Sequence, residues 1–371
     1  MRTATVTIDA AALAHNLQVI KSQLQPDTKV LAMVKADAYG HGVDKTVPAL
    51  IAADGFGVAC MSEALAVEDA LRAVDTVRPV VLIEGVFSRD EWLDAIAHDF
   101  GCVIHHDEQL HWALEHKPSD DSFCRTIWLK YNTGMNRIGF GADEIIDKAK
   151  LLIDAGYQII LTSHFACSDE KEHPLNAVQI ERFNHALQAI LQLQSSAQGS
   201  LCNSAGIFNF PQVHHNWVRA GIALYGAKPV AHCSAADLGL LPAMTLSAKI
   251  MAIHTLNAGD SVGYAALWSA TDAHKIAIVS IGYGDGYPRV VDGAKVSIIS
   301  QSGTTTCAII GRVAMDMLMI DVDGVDVAIG DDVILWGDAP HIDEVAMCAN
   351  TIGYELMCRL TTRPNRQLTN K

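Results

Sequence analysis

Short apolar runs alternate with longer amphipathic ones through the first two-thirds of the chain. Residues 29–36 (KVLAMVKA) are apolar from Val30 to Val34, which predicts a strand buried on both faces. Helical spacing follows at 41–53. An apolar run at 56–60 precedes a helix-like 62–73, where Ser62 and Glu63 suit a helix start. The alternation continues with 79–83 before 88–98, 102–105 before 107–116, and 125–131 before 143–155. It closes with 158–164 before the long amphipathic stretch 176–196, then strands at 200–204 and 218–225 flanking a short helix near 207–210. A helix at 9–24 precedes the first strand as an added element.

About eight strand-then-helix units result, the number a parallel barrel needs to close. An open doubly wound sheet has the same local pattern, so at this level both architectures stand, with the barrel preferred. The texture changes after Leu240. Segments 246–255, 275–281, 294–299, 304–310, 318–322 and 332–336 are short and often β-branched, with turn residues between them. The chain therefore reads as α/β: an N-terminal (β/α)8 TIM-like barrel over 1–235, then a mostly β C-terminal domain over 236–371. The break falls in the small, polar stretch 228–241.

Two domains suit 371 residues, half of them hydrophobic. A net charge of −15 argues against binding nucleic acid through its backbone. The opening MRTATVTI does not read as a secretory signal, and no apolar stretch approaches the roughly 20 residues that cross a bilayer. Nine cysteines are scattered singly with no CxxC pair, as expected of reduced thiols in a cytoplasmic protein. The adjacent pairs His105–His106 and His214–His215 could suggest a metal, but neighbours on a strand point to opposite faces, so no metal site is expected.

Lys35 is the first chemical anomaly. A lysine at the carboxyl end of a buried strand is costly unless paired or functional, and in a barrel that end faces the active site. Desolvated there it would be primed to form a Schiff base; the plain alternative is a strand-end lysine reaching solvent.

The surrounding blocks change the balance. Lys35-Ala-Asp-Ala-Tyr-Gly-His-Gly is followed by Trp128-Leu-Lys-Tyr-Asn-Thr-Gly-Met-Asn-Arg-Ile-Gly-Phe, Ser163-His-Phe-Ala, Asn203-Ser-Ala-Gly and Val218-Arg-Ala-Gly-Ile-Ala-Leu-Tyr-Gly. In the second half come Asp260-Ser-Val-Gly-Tyr, Gly282-Tyr-Gly-Asp-Gly-Tyr-Pro-Arg, Gly311-Arg-Val-Ala-Met-Asp-Met and Thr351-Ile-Gly-Tyr-Glu. In this order, from Thr7 to about Leu360, they resemble the alanine racemases, barrel-type enzymes dependent on pyridoxal 5'-phosphate (PLP).

The resemblance implies a role for each matching position. Lys35 would hold PLP as an internal aldimine. Tyr39 would donate to the phosphate, which the Asn203–Ser204 turn, the backbone amides of Gly221 and Ile222, and Tyr354 would also hold. Phosphate bound after strands seven and eight agrees with barrel geometry. His164 would lie beside the cofactor ring and Arg219 would pair with its pyridine nitrogen. Arg137 would contact the substrate carboxylate, for which its planar fork is suited. Met315 would touch substrate through its backbone, and Tyr283 and Tyr354 would narrow the entrance. Lys130 would be carbamylated to orient Arg137; the alternative is an unmodified Lys130 pairing with Asp169 or another acid.

The activity implied is interconversion of L-alanine and D-alanine by two-base proton transfer on a PLP aldimine. Lys35 would serve one face and Tyr264 the other. The family brings that tyrosine from the partner subunit's β domain, so a homodimer with shared active sites is expected, with alanine as the small-molecule partner and neither nucleic acid nor membrane involved. The product would supply D-alanine for peptidoglycan, or the reaction would feed alanine catabolism. The rivals are a barrel-type amino-acid decarboxylase, a racemase with broader or serine-preferring specificity, and a non-catalytic PLP-binding protein. Three positions depart from the family's usual pattern: Ala220 in place of proline, Ala265 in place of glycine, and Tyr131 in place of a smaller aliphatic residue.

Overall fold

The computed structural model describes residues 4–370; the start of the amino-terminal segment, residues 1–3, and Lys371 lie outside them. Eight parallel strands form one sheet in the order β8-β7-β6-β5-β4-β3-β2-β9. They are β2 (Lys29–Met33), β3 (Gly55–Val58), β4 (Val80–Leu82), β5 (Gly101–Ile104), β6 (Thr126–Lys130), β7 (Gln158–Thr162), β8 (Gln198–Ser200) and β9 (Trp217–Ala220). Leu31 pairs with Gly55 on one side and with Arg219 on the other, so the first and last strands of the series are neighbours. Across the remaining gap the Arg219 N–H reaches the Cys202 carbonyl at 2.9 Å and the Asn216 N–H the Gly199 carbonyl at 3.1 Å. The sheet is a nearly closed barrel, not an open one.

Burial explains the continuous apolar runs. Strands with helices outside and packed side chains inside show no polar face, and the residues of β3, β4 and β5 are all buried. Several expected strands end earlier in the fold; the one expected at 200–204 is β8, which stops at Ser200, and a helix begins at Ser204. β2 stops at Met33, short of Lys35, and β9 stops at Ala220, with a 3-10 turn at Ile222–Tyr225. An apolar run records burial alone, and a buried turn after a strand has the same signature.

The second sheet runs β13-β16-β15-β14-β17-β10-β1-β18, and a further pairing of β13 with β10 closes it. Its strands are β10 (Met244–Leu256), β13 (His274–Val279), β14 (Lys295–Ser300), β15 (Gly303–Ile310), β16 (Leu318–Asp321) and β17 (Asp332–Trp336), with β1 (Thr5–Asp9) and β18 (Asn365–Thr369) from the two ends of the chain. A small hairpin of β11 (Ser261–Val262) and β12 (Trp268–Ser269) projects beside it. β1 pairs antiparallel with β10 and parallel with β18, so the chain starts in the β sheet before entering the barrel. The helix expected at 9–24 is Ala10–Ser22, and Asp9 caps it by accepting the N–H groups of Ala11 and Ala12. From that helix the buried Asn16 amide donates to the carbonyls of Leu224 and Leu241 and accepts the Leu241 N–H, tying the turn after β9 to the connection between sheets. The helices Ile342–Cys348 and Gly353–Cys358 had no counterpart in the sequence reading.

Candidate functional site

Immediately after β2 the backbone turns left-handed. Ala36, Asp37, Ala38 and Tyr39 have φ of 53, 52, 53 and 52°, a conformation costing roughly 1–2 kcal/mol per non-glycine residue. Hydrogen bonds hold the turn. One carboxylate oxygen of Glu63 accepts the Ala36 N–H at 2.7 Å and the other accepts the Ala59 N–H at 2.8 Å, while Asp37 Oδ1 accepts the Val43 N–H at 2.9 Å. Gly40 ends it against the Met357 backbone, whose carbonyl oxygen would lie 2.2 Å from any Cβ added there. The turn stacks Tyr39 on Tyr225 with ring centroids 4.8 Å apart, and the Tyr225 hydroxyl donates to the Met33 carbonyl at 2.8 Å.

Lys35 and Tyr39 thereby enter a cavity of about 660 Å³ at the carboxyl ends of the barrel strands. Lys130, Arg137, His164, Asn203, Ser204, Arg219, Gly221, Ile222 and Tyr354 line the same cavity. At its phosphate-like end, the Gly221 N–H donates to Ser204 Oγ at 2.8 Å, and a Cβ on Gly221 would stand 2.8 Å from the Tyr39 hydroxyl. Asn203 Oδ1 caps the next helix through the Gly206 N–H at 2.9 Å and takes the Ser168 hydroxyl at 2.8 Å. Burial holds the phenols of Tyr39 and Tyr354 well above their ordinary range, so both are proton donors.

The cavity is cationic. Lys35, Lys130, Arg137 and Arg219 line it against one carboxylate, Glu84. Desolvation, then the charges of Arg219, Arg137 and Lys35, push the Lys130 amine well below its usual value. No ion pair joins Lys130 to Asp169 or to any other acid among the described residues. Burial and the nearby cations likewise hold His164 neutral, and burial lowers Arg219 to about 10. The Arg219 guanidinium nevertheless stays fixed. One terminal nitrogen serves Thr162 Oγ1, the Ser200 carbonyl and Ser200 Oγ; the other serves the carbonyls of Ser163 and Leu201 and Nδ1 of His164.

Three expected residues lie outside this cavity. Tyr264, Met315 and Tyr283 are exposed on the β-rich part at 69, 52 and 39%. Tyr283 and Met315 sit together, since Tyr283 N–H donates to the Ala314 carbonyl and Gly284 N–H to that of Met315. Tyr264 stands on the loop between β11 and β12. Ala265 adopts φ 65° there, so the departure from glycine keeps the left-handed backbone at a modest energetic cost. Ala220 ends β9 as a regular strand residue opposite Ala32, and Tyr131 is buried below the Arg137 loop.

Other lining residues escaped the sequence reading: Glu84, His105, Thr162 and Cys358. Thr162, at the end of β7, and His105, directly after β5, carried a positional signal, because barrel sites gather at carboxyl ends of strands. His105 Nε2 contacts the Glu84 carbonyl and His214 Nε2 that of Ile207, so both rings serve backbone groups. Among the described residues, no three His, Cys, Asp or Glu side chains come close enough to hold a metal.

The residues fit a planar phosphorylated aldehyde. The cavity volume suits a small cofactor with its substrate. A primary amine lies at one side and hydroxyl and amide donors at the phosphate-like end. Among the described residues Arg219 bonds only through its two terminal nitrogens, leaving Nε as a fixed donor for a ring nitrogen.

A profile described as alanine racemase, N-terminal domain, matches residues 8–229, and one described as alanine racemase, C-terminal domain, matches 243–368. The chain is 51% identical to an alanine racemase of Psychrobacter sp. over 99% of this chain and all of that protein. The structure of the alanine racemase from Acinetobacter baumannii superposes with a TM-score of 0.92 at 45% identity, covering all of both chains. That of the alanine racemase from Bartonella henselae, with covalently bound pyridoxal phosphate, gives 0.85 at 26% identity, again over both whole chains.

Proposed function

This chain belongs to the alanine racemase family, and we propose that it interconverts L-alanine and D-alanine with pyridoxal phosphate joined to Lys35. The observation that carries the proposal is the convergence on one cavity of an amine (Lys35), a carboxylate-binding fork (Arg137) and a fixed guanidinium (Arg219). Bound pyridoxal phosphate supplies an electron sink that acidifies the substrate's Cα–H. The chain's own groups do the rest. Gly221, Ile222, Ser204, Asn203, Tyr39 and Tyr354 would hold the phosphate, His164 would pack beside the ring, and Arg137 would orient the substrate carboxylate.

Once the substrate's amine has taken its place on the cofactor, the freed Lys35 Nζ can take or return the Cα proton on one face. The opposite face needs a second group, and Tyr264 is the candidate. It is exposed on its own subunit and absent from that subunit's cavity lining, which suits delivery into the cavity of a second copy. Tyr283 and Met315 would accompany it, narrowing the entrance together with Tyr354. Each positioned acid or base is typically worth roughly 10²–10⁴-fold in rate. We therefore propose a homodimer with shared sites. A division at 235/236 would then separate the barrel that holds the cofactor from most of the β-rich unit that reaches the partner, to which β1 at the start of the chain also contributes.

We further propose that Lys130 is carbamylated. Its depressed basicity favours the uncharged, nucleophilic form of the amine, and a carbamate would put one negative charge among the cations that surround Arg137. A cytoplasmic role in making D-alanine for peptidoglycan suits the family; no helix among the described residues is long and apolar enough to cross a membrane.

Borohydride reduction of the PLP-loaded protein followed by peptide mapping, run beside a chirality assay on L-alanine, tests the assignment. Cofactor on the Lys35 peptide and conversion to racemic alanine are expected. Label on another lysine, or optically unchanged alanine, would overturn it. Carbon dioxide release in place of racemisation would favour a decarboxylase.

A further inference from the structure

Behind the cavity, the long helix Pro174–Leu193 turns one fully buried amide, Gln179, toward the barrel. Its nitrogen donates to Thr133 Oγ1 and to the His164 carbonyl, each at 2.9 Å, and its oxygen accepts the Ala166 N–H at 2.9 Å. The proton directions beyond it follow from capacity. Ser163 spends its hydroxyl proton on the Tyr131 carbonyl at 2.8 Å, so in the 2.8 Å contact between Thr133 and Ser163 the donor is Thr133. Thr133 therefore accepts from Gln179 and donates to Ser163, and both amide protons of Gln179 are used. Arg182, one turn further along the helix, donates to the Thr133 carbonyl at 3.0 Å.

The two segments joined in this way carry different parts of the site. The loop after β6 holds Arg137, and its base is closed by the Phe140 N–H on the Lys130 carbonyl at 2.9 Å and the Asn132 N–H on the Phe140 carbonyl at 3.0 Å. The segment after β7 holds His164, locked in turn to Arg219. Neither loop is part of the barrel ladder beyond its first residues. Ser163 joins them directly at their bases, through the Tyr131 carbonyl and the Thr133 hydroxyl, and Gln179 adds the tie that reaches past His164 to Ala166.

We propose that Gln179 is a positioning residue, whose single amide fixes the Arg137 loop and the His164 segment at one separation. The substrate carboxylate and the ring partner are thereby held in register. This inference rests on the racemase reading and deepens it. Replacing the amide by an apolar group leaves the His164 carbonyl, the Thr133 hydroxyl and the Ala166 N–H buried without their partner, so the loops must shift to find others. A displaced Arg137 grips the substrate carboxylate less well in the ground state and the transition state alike, so the loss falls on KM.

In the PLP-loaded enzyme, Gln179→Leu should raise KM for alanine about tenfold or more while kcat changes by less than about threefold. Amide hydrogen exchange should quicken at residues 131–138 and 163–166 and stay unchanged in β2. Thr133→Val removes the middle hydroxyl with little change of shape; it should give a smaller KM effect and faster exchange at 131–138, and it carries the test if Gln179→Leu does not fold. Unchanged KM in the variants obtained, or exchange quickened evenly through the barrel, overturns the proposal. The exchange experiment needs no turnover, so it is independent of the racemase reading, which fails if the wild-type loaded enzyme leaves alanine's chirality unchanged or carries the cofactor on another lysine.

Discussion

A terminal nitrogen of Arg219 lies 3.3 Å from Nδ1 of His164. A guanidinium has only donors, so Nδ1 must accept, and the ring carries its single proton on Nε2. The contact and the depressed basicity of the ring have the same origin: burial first, then the positive charge of Arg219. A protonated His164 would turn a hydrogen bond into a clash of two cations.

His164 should therefore stay neutral, as the Nε2–H tautomer, through the range around pH 6.5 where a free imidazole titrates. Ring nitrogen-15 shifts in labelled protein check this. In the unfolded chain the same ring gains a proton on acidification, so below that pH His164 contributes a loss of stability, not a gain. Arg219→Lys keeps the charge but not the fork; it should cost about 2–4 kcal/mol of folding free energy, read from denaturant melts.

Shared sites make a prediction that separate sites do not. Lys35→Ala and Tyr264→Phe homodimers should each be nearly inactive. Unfolding and refolding the two variants together would place both defects in one site of each hybrid and leave the other intact. With random assortment, roughly a quarter of wild-type activity should return. No recovery in a mixture shown to contain hybrids would mean that each subunit uses its own Tyr264.

Lys130 offers a direct chemical check. Protein equilibrated with carbon-13 bicarbonate should show one carbamate resonance, lost in Lys130→Met. The same variant should weaken alanine binding by freeing Arg137 from its anionic neighbour. A wild-type spectrum without that resonance would leave Lys130 as a plain buried amine.

His341 behaves in the opposite sense to His164. Burial alone would lower its pKa, but the hydrogen bond and charge of Asp343 outweigh that, helped by the Gly226 carbonyl and the charge of Glu344, and raise it. Nδ1 lies 3.0 Å from Asp343 Oδ2 and Nε2 3.0 Å from the Gly226 carbonyl, linking the helix Ile342–Cys348 to the end of the turn after β9. Asp343 also accepts the Lys228 N–H at 2.8 Å. A raised folded pKa stabilises fully below about pH 6.5 and fades as pH rises through the folded value. The melting midpoint of His341→Asn should thus fall furthest below wild type near pH 6, with the gap narrowing by pH 9. A gap that widened with pH would contradict the clamp.

Much of the fold was legible because burial leaves a periodic trace. Helices such as Asp107–Glu115 and strands such as β17 fall where their apolar spacing puts them. The boundaries that moved were those at the site, where β2 gives way to a left-handed turn that no hydrophobic pattern encodes. Glu63, which holds that turn, read only as a good residue for a helix start. Gln179 sat unremarked in an amphipathic helix, since its partners are 13 to 46 residues away in the chain.

By itself the order of residues determined the strand-and-helix alternation, the β-rich second half and the motif blocks, because each depends on neighbours within a few positions. Closure of the barrel, the tautomer of His164, the tie made by Gln179 and the separation of Tyr264 from this chain's cavity were decided only in three dimensions. Those features depend on which distant groups meet and on how much water is left between them, and neither is written in local spacing.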